Sequence, residues 1–153
     1  MNSNQSHSKF VGSVSLWRYV ENERNYPGWN LSADSLGVAS LLSILSELQA
    51  VGGHRTIPIT SPTLSTLSVP NNNSGKAKWI APTKWRLIYL STDEDADAWS
   101  FLFQQDVAIL SLGRNRMLEL IAGIANLPQS VGDFRIGGSN NSAESLWFWR
   151  WIE

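Results

Sequence analysis

Leu146-Trp147-Phe148-Trp149-Arg150-Trp151-Ile152, close to the C-terminus, is the stretch that decides the fold. If it forms a β-strand, successive side chains point to opposite faces, so the tryptophans share one face and the other residues share the second. Both faces are then largely apolar, which is typical of a central strand covered on both sides. As a helix, the stretch would be short for independent stability. We therefore predict a buried C-terminal strand over which the earlier elements must close.

The composition sets bounds on the class of protein. A chain of 153 residues, 42% apolar and 16% charged, suits one globular domain. The net charge of −1 gives no general attraction to nucleic acids or anionic membranes. Because cysteine is absent, a disulfide framework, a thiol nucleophile and a cysteine-ligated metal are excluded. Eight tryptophans are the compositional excess, and such large rings usually fill a core.

The N-terminal residues 1–9 are polar and lack the apolar centre of a signal peptide. We expect them to form a disordered tail ahead of a single domain over residues 10–153. No apolar run approaches the roughly 18 residues that a membrane span requires. The expected location is therefore the cytoplasm, without a membrane partner, and the sequence leaves the oligomeric state open.

Alternation of apolar and polar side chains predicts several strands before the C-terminal one. These strands are Phe10–Arg18, Arg55–Thr60, Lys84–Leu90, Ala98–Phe103, Val107–Leu112 and Phe134–Ile136. Pro58 restricts its strand to a sheet edge or a bulge. The short turn Gln104-Gln105-Asp106 predicts a hairpin, whereas Thr63–Val69 fits either a short strand or a single helical turn.

Leucines at helical spacing predict a first helix, Ser32–Ala50, with Ser32 as its cap and Gly52-Gly53 as its end. A second amphipathic helix is predicted at Asn115–Asn126. The strands outnumber the helices and do not alternate with them. We therefore predict an α+β domain with a mainly antiparallel sheet of about five to seven strands, on which two main helices pack.

The sequence gives little support for a catalytic site or a metal site. A serine triad needs a positioned histidine base, and His54 is predicted to be an exposed turn residue directly after Gly52-Gly53, without a nucleophile elbow. The aspartates of Asp93–Asp97 have the spacing of the first ligands of an EF-hand. However, Ala98 and Gln104 stand where that loop requires glycine and glutamate. We predict no catalytic residue, no metal site and no cofactor.

The sequence leaves two further activities as alternatives. Glu21 and Glu23 would make a hydrolase only if two carboxylates faced each other across about 5–10 Å, which the sequence does not indicate. A small ligand or a single-stranded nucleic acid could bind the basic, aromatic segment Lys76–Arg86, since cations hold phosphates and indoles stack on bases. The binding residues would then be Lys76, Lys78, Trp79 and Lys84.

The acidic residues of Asp93–Asp97 follow this basic segment closely and cancel its charge, so nucleic acid is not the preferred partner. The simplest interpretation is a basic loop and an acidic loop at one end of a strand. Polar loops on a compact hydrophobic body, without a catalytic set, favour a non-catalytic protein-binding module.

Three short stretches together resemble small single-domain bacterial proteins of the toxin-immunity type. They are Tyr26-Pro27-Gly28-Trp29-Asn30-Leu31 before a leucine-rich helix, Gly132-Asp133-Phe134-Arg135-Ile136-Gly137, and Leu146-Trp147-Phe148-Trp149-Arg150-Trp151. The resemblance implies an α+β fold and a cytoplasmic, non-catalytic protein that binds and neutralises a partner toxin. No binding residue carries over by position.

Two loops combine aromatic or arginine anchors with acidic groups and are the predicted partner-binding surface. Their candidate residues are Arg24, Tyr26, Trp29, Asp93, Glu94, Asp95 and Asp97. An acidic patch would speed association with a basic toxin through electrostatic steering. In the alternative interpretation, Trp29 packs under the first helix and Asp93–Asp97 is only a solvated turn.

Overall fold

The computed structural model describes residues 9–20, 27–63, 78–137 and 142–152. The predicted tail, except Lys9, and the predicted element Thr63–Val69, except Thr63, lie outside these residues. The helices are α1 (Ser35–Val51) and α2 (Arg114–Ala125). The strands are β1 (Val14–Tyr19), β2 (Trp29–Ala33), β3 (Gly53–Pro58), β4 (Trp79–Ile80), β5 (Lys84–Leu90), β6 (Trp99–Gln104), β7 (Val107–Gly113), β8 (Val131–Ile136) and β9 (Leu146–Trp149).

The strands form two mixed sheets. One sheet has the order β4-β1-β2-β9-β8, and the other has the order β3-β5-β7-β6. The pairs β2–β9 and β5–β7 are parallel, whereas the other neighbours are antiparallel. The α+β class and the two helices are thus confirmed, and five of the seven neighbour pairs are antiparallel. However, the nine described strands form two mixed sheets instead of the predicted single sheet of about five to seven strands. Alternation of apolar and polar residues shows which face of a strand is buried, but it does not show which strands lie beside it or in which direction they run.

The C-terminal strand β9 lies between β2 and β8, so the predicted interior position is confirmed. Leu146 and Phe148 are buried in the main core, and Trp149 is buried on the opposite face of the sheet. Pairing ends at Trp149, so the strand is shorter than predicted. Arg150 is exposed and Trp151 is half-buried beyond its end.

One connected apolar core contains side chains from both sheets and both helices. At its centre Trp29 of β2 stacks on Phe101 of β6, with ring centroids 5.1 Å apart. Trp85 of β5 lies nearly parallel to Phe101 as well, with ring centroids 6.4 Å apart. These large rings fill the space between the two sheets.

Helix α1 begins three residues later than the predicted Ser32. Asp34 is its N-cap, and the Asp34 carboxylate accepts hydrogen bonds from the Gly37 and Ser13 amides at 2.8 and 2.9 Å. Ser32 instead lies buried in β2, opposite Ser15 of β1. The predicted loop before the helix is therefore partly a strand, because pairing with β1 and β9 satisfies its backbone. Helix α2 begins and ends one residue before the predicted bounds.

The second face of the five-stranded sheet carries a separate aromatic cluster. Trp17, Tyr19 and Trp149 are buried in it, and Trp79 and Trp147 are partly buried at its border. This cluster explains why both faces of the C-terminal stretch are apolar. Asn30 lies within it and its side chain is fully buried. The Trp149 indole N–H donates to Asn30 Oδ1 at 2.9 Å, and Asn30 Nδ2 donates to the Trp17 carbonyl at 3.4 Å.

Candidate functional site

The outer face of the four-stranded sheet is the side that does not contribute to the core. Along β7, Ala108, Leu110 and Leu112 are buried, and they alternate with the half-buried Val107, Ile109 and Ser111. The strand register places further side chains beside this second set. The outer face comprises His54, Thr56, Pro58, Lys84, Arg86, Ile88, Leu90, Ser100, Leu102, Gln104, Val107, Ile109 and Ser111.

Cross-strand rows organise the outer face. One row runs across all four strands as Thr56, Arg86, Ile109 and Leu102. Leu102, on the edge strand β6, is 46% exposed. Together with Ile88 in the adjacent row, Ile109 and Leu102 form an apolar centre. Such a surface differs from the polar solvent face that a half-buried sheet usually shows.

A groove of about 490 Å³ crosses one end of this face. Its lining combines cationic, amide and aliphatic groups, namely Thr56, Lys84, Arg86, Gln104, Gln105, Val107 and Ile109. Arg86 Nε donates to Thr56 Oγ1 at 3.2 Å, which fixes the plane of the guanidinium. Among the described residues, neither Lys84 nor Arg86 forms an ion pair, so their charge is available to an anionic group.

The β6–β7 hairpin shapes the rim of the groove. Gln104 pairs with Val107, so the connecting turn consists of Gln105 and Asp106. Both turn residues have positive φ, at 50° and 69°, as a type I′ turn requires. The Thr83 amide donates to the Asp106 carbonyl at 3.0 Å and so joins the turn to the chain entering β5. The predicted hairpin is thus confirmed.

The acidic turn Asp93–Asp97 lies beyond the opposite end of β5 from Lys84. Seven extended residues separate the two ends by about 20 Å. The interpretation of a basic and an acidic loop at one end of a strand is therefore wrong. The basic residue Lys84 stands at the start of the strand itself.

Helix α2 supplies partners for the acidic turn. Arg114 contacts Asp93 at 2.8 Å, and Asn115 Nδ2 donates to Asp97 Oδ1 at 2.7 Å. The hydrogen bond and the charge of Asp93 raise the pKa of Arg114. Thr92 Oγ1 donates to Asp95 Oδ2 at 2.8 Å. The turn is thereby joined to the start of the helix and still leaves Glu94 exposed.

The other predicted loop does not supply an exposed aromatic anchor. Arg24 and Tyr26 lie outside the described residues. Trp29 is only 1% exposed, stacks on Phe101 and carries the Arg18 guanidinium 5.3 Å from its ring centroid. Trp29 therefore belongs to the core, where its ring contacts lie on β6 and not on the first helix named in the alternative interpretation.

The predicted nucleic-acid segment divides between the two sheets. Lys76 lies outside the described residues, and Trp79 of β4 borders the aromatic cluster of the five-stranded sheet. Lys78 is exposed and precedes that strand. Lys84 instead begins β5 of the four-stranded sheet, whose Trp85 is fully buried. Trp85 is consequently not available for stacking on a base.

Within residues 9–20, 27–63, 78–137 and 142–152, no group of three or more His, Cys, Asp or Glu side chains could hold a metal ion. His54 is exposed in β3, opposite Ile88, rather than in a turn as predicted. Among the helices described, none has the length and apolar character needed to cross a membrane. No protein-family model matches the chain, and neither curated proteins nor solved structures gave a significant match.

Sequence reasoning missed the outer face as a site. A signal was present in the sequence, because the apolar residues Ile88 and Ile109 fall on the opposite strand faces to the also apolar Trp85, Leu87, Ala108 and Leu110. Ile88 and Ile109 come to lie in adjacent cross-strand rows only because β5 pairs with β7 in parallel. That pairing depends on the whole fold and is not contained in either strand alone.

Proposed function

We propose that this chain is a non-catalytic protein-binding module that binds its partner through the outer face of the four-stranded sheet. The observation that carries the proposal is the apolar centre of that face, formed by Ile88, Leu102 and Ile109. Interfaces combine an apolar centre with a polar rim, and Lys84, Arg86 and the glutamines supply such a rim.

We further propose that the partner is a toxin-type protein that the module neutralises. The resemblance to toxin-immunity proteins supports this class. The acidic turn supports it as well, because its negative charge would speed association with a basic partner. Arginine is favoured as an interface anchor, and Arg86 is held in place by Thr56.

The test compares the wild type with the variant Leu102→Glu/Ile109→Glu and with a control, Leu118→Glu. Leu118 is also an exposed leucine, at 56%, but it lies on helix α2. A partner captured by the wild type is purified and titrated against all three proteins. The double variant should bind at least about tenfold more weakly, which is roughly 1.4 kcal/mol, and the control should bind normally.

Equal affinity of the wild type and the double variant would remove the outer face from the interface. The same preparations are titrated with a single-stranded oligonucleotide at low salt. Tight binding that weakens steeply with salt, and that is lost on changing Lys84 and Arg86 to Gln, would contradict protein binding in favour of nucleic acid.

A further inference from the structure

The two ends of the four-stranded sheet carry opposite charges. Lys84 and Arg86 lie near the start of β5, and the acidic turn lies beyond its end, about 20 Å away. Within the described part of the chain, the ion pair of Asp93 with Arg114 neutralises one acidic group of this turn. The turn therefore keeps an excess of negative charge, while Lys84 and Arg86 form no ion pair with a described residue.

We propose that a second copy of this chain occupies the outer face, so that two molecules form a two-fold symmetric dimer through their four-stranded sheets. This inference rests on the proposed function, since both require the outer face to be a protein interface. The second copy and the partner use the same side chains, so binding of the partner displaces the second copy. The two apolar centres, each formed by Ile88, Leu102 and Ile109, pack against each other. Face-to-face sheets of this kind lie about 10 Å apart with nearly aligned strands.

Charge complementarity selects one of the two possible arrangements. If the two-fold axis ran along the strands, the cationic ends of both copies would meet, and so would the acidic turns. If the axis lies across the strands, Lys84 and Arg86 of each copy face the acidic turn of the other. Like-charge contacts are costly, and opposite-charge contacts fix the register of an interface. The dimer therefore has antiparallel strands across its interface.

The size of the face predicts a weak dimer. Four strands at about 4.8 Å spacing and six or seven residues at about 3.3 Å give a projected area of roughly 400 Å². Stable interfaces bury about 800 Å² of accessible surface on each partner. The acidic turn and the β6–β7 hairpin add to the buried surface. We expect a dissociation constant on the order of 1–100 µM.

Sedimentation equilibrium of the full chain between about 1 and 500 µM, a range set by the expected affinity, tests the dimer. The wild type should pass from monomer to dimer. Ile109→Glu should weaken association at least about tenfold, because it places two carboxylates at the centre of the interface. The control Leu118→Glu should associate like the wild type. Thermal melts confirm that each variant is folded.

A charge exchange tests the arrangement. One variant is Lys84→Glu/Arg86→Glu, and the other is Glu94→Lys/Asp97→Lys. Each variant alone should be monomeric. In the first variant both end contacts join like charges, and in the second the two lysines cancel the charge of Asp93 and Asp95, so the turn no longer attracts Lys84 and Arg86. An equal mixture of the two variants should form a heterodimer. The new glutamates of the first variant then face the new lysines of the second, and the unaltered acidic turn of the first faces Lys84 and Arg86 of the second. Raising the salt concentration should weaken the wild-type dimer.

The outcomes separate this inference from the proposed function. A wild type that is monomeric at every concentration would overturn the dimer, while loss of partner binding by Leu102→Glu/Ile109→Glu would still support the module. A dimer unaffected by Ile109→Glu would show that another surface joins the two copies. If the mixed charge variants stay monomeric while the wild type dimerises, the antiparallel arrangement is wrong.

Discussion

Trp149 illustrates how one side chain joins two parts of the fold. Its ring is 2% exposed in the aromatic cluster, and its indole N–H reaches the buried Asn30 on a different strand. A buried amide without a partner is costly, so the ring contributes through its volume and also satisfies Asn30.

We predict that Trp149→Ala lowers the free energy of unfolding by about 3–5 kcal/mol, because it removes a large ring from a packed interior. Denaturant titration measures the change. Trp151→Ala is a suitable control, since Trp151 is half-buried beyond the end of β9 and its loss should cost less. A loss below about 1 kcal/mol for Trp149→Ala would contradict the interior position of this strand.

Tyr19 lies in the same cluster and gives a prediction about alkaline stability. Burial raises the pKa of its hydroxyl above the usual 10.0. The neighbouring Trp17 indole N–H opposes part of the shift, although Trp17 Nε1 has no hydrogen bond of ordinary geometry to any described residue. The folded state thus holds the Tyr19 proton more tightly than the unfolded chain does.

The stabilisation linked to this proton is fully present below about pH 10 and is lost as the pH rises through the raised pKa. Tyr19→Phe removes the group. The free energy of unfolding should therefore fall less steeply above pH 10 in the variant than in the wild type. Urea titrations at several alkaline pH values measure the two slopes, and parallel slopes would show that Tyr19 does not contribute.

At the scale of the element, the β6–β7 hairpin carries residual strain. Gln105 and Asp106 adopt positive φ, which glycine and asparagine tolerate better than other residues. The change Gln105→Asn/Asp106→Gly should raise the free energy of unfolding by about 0.5–1 kcal/mol. Chemical denaturation provides the measurement. Gln104→Asn, in the extended strand before the turn, should give no gain.

The acidic turn provides a second prediction for an element. Neutralising Asp93, Glu94, Asp95 and Asp97 to Asn or Gln should change stability by less than about 1 kcal/mol, because exposed ion pairs contribute little. The variant should nevertheless associate more slowly with the natural partner, with a smaller dependence on salt. Thermal melts and stopped-flow association rates test both parts.

Asp133→Asn, on the exposed side of β8, serves as the matched control for the acidic turn. It should leave the association rate unchanged. An unchanged rate and salt dependence in the fourfold variant would exclude the turn from the interface. A large fall in melting temperature would instead show that the contacts of Asp93 and Asp97 with the start of α2 are structural.

Elements with local signals could be predicted, and those that depend on distant partners could not. Lys84–Leu90 has the predicted bounds, and α2 differs by one residue at each end, because their periodicity is complete within the segment. By contrast, β2 lies between Pro27-Gly28, which favour a turn, and the leucines of α1, which have helical spacing. It becomes a strand only through β1 and β9.

The candidate site was less predictable than the fold for the same reason. Tryptophan is a residue type that often anchors interfaces, yet the Trp29 ring stacks on Phe101 and is buried in the core. The outer face depends on four strands meeting in one order, and this order is not encoded in the alternation of any single strand.

At the scale of the whole molecule, the shared core predicts cooperative unfolding. Side chains from both sheets and both helices belong to one connected cluster, so neither sheet can lose its packing without exposing the other. Tryptophan fluorescence and far-ultraviolet circular dichroism should therefore give coincident denaturation curves. Two separated transitions would show that the sheets are independent units.

The position of β9 also bears on how the protein is made. The ribosome releases β9 last among the strands described, yet this strand lies between β2 and β8 and pairs with both. Until it emerges, those two strands lack their common neighbour, and the apolar side chains that β9 covers stay accessible to chaperones. The growing chain can form β1 with β2 early, but the five-stranded sheet cannot close before β9 has left the ribosome.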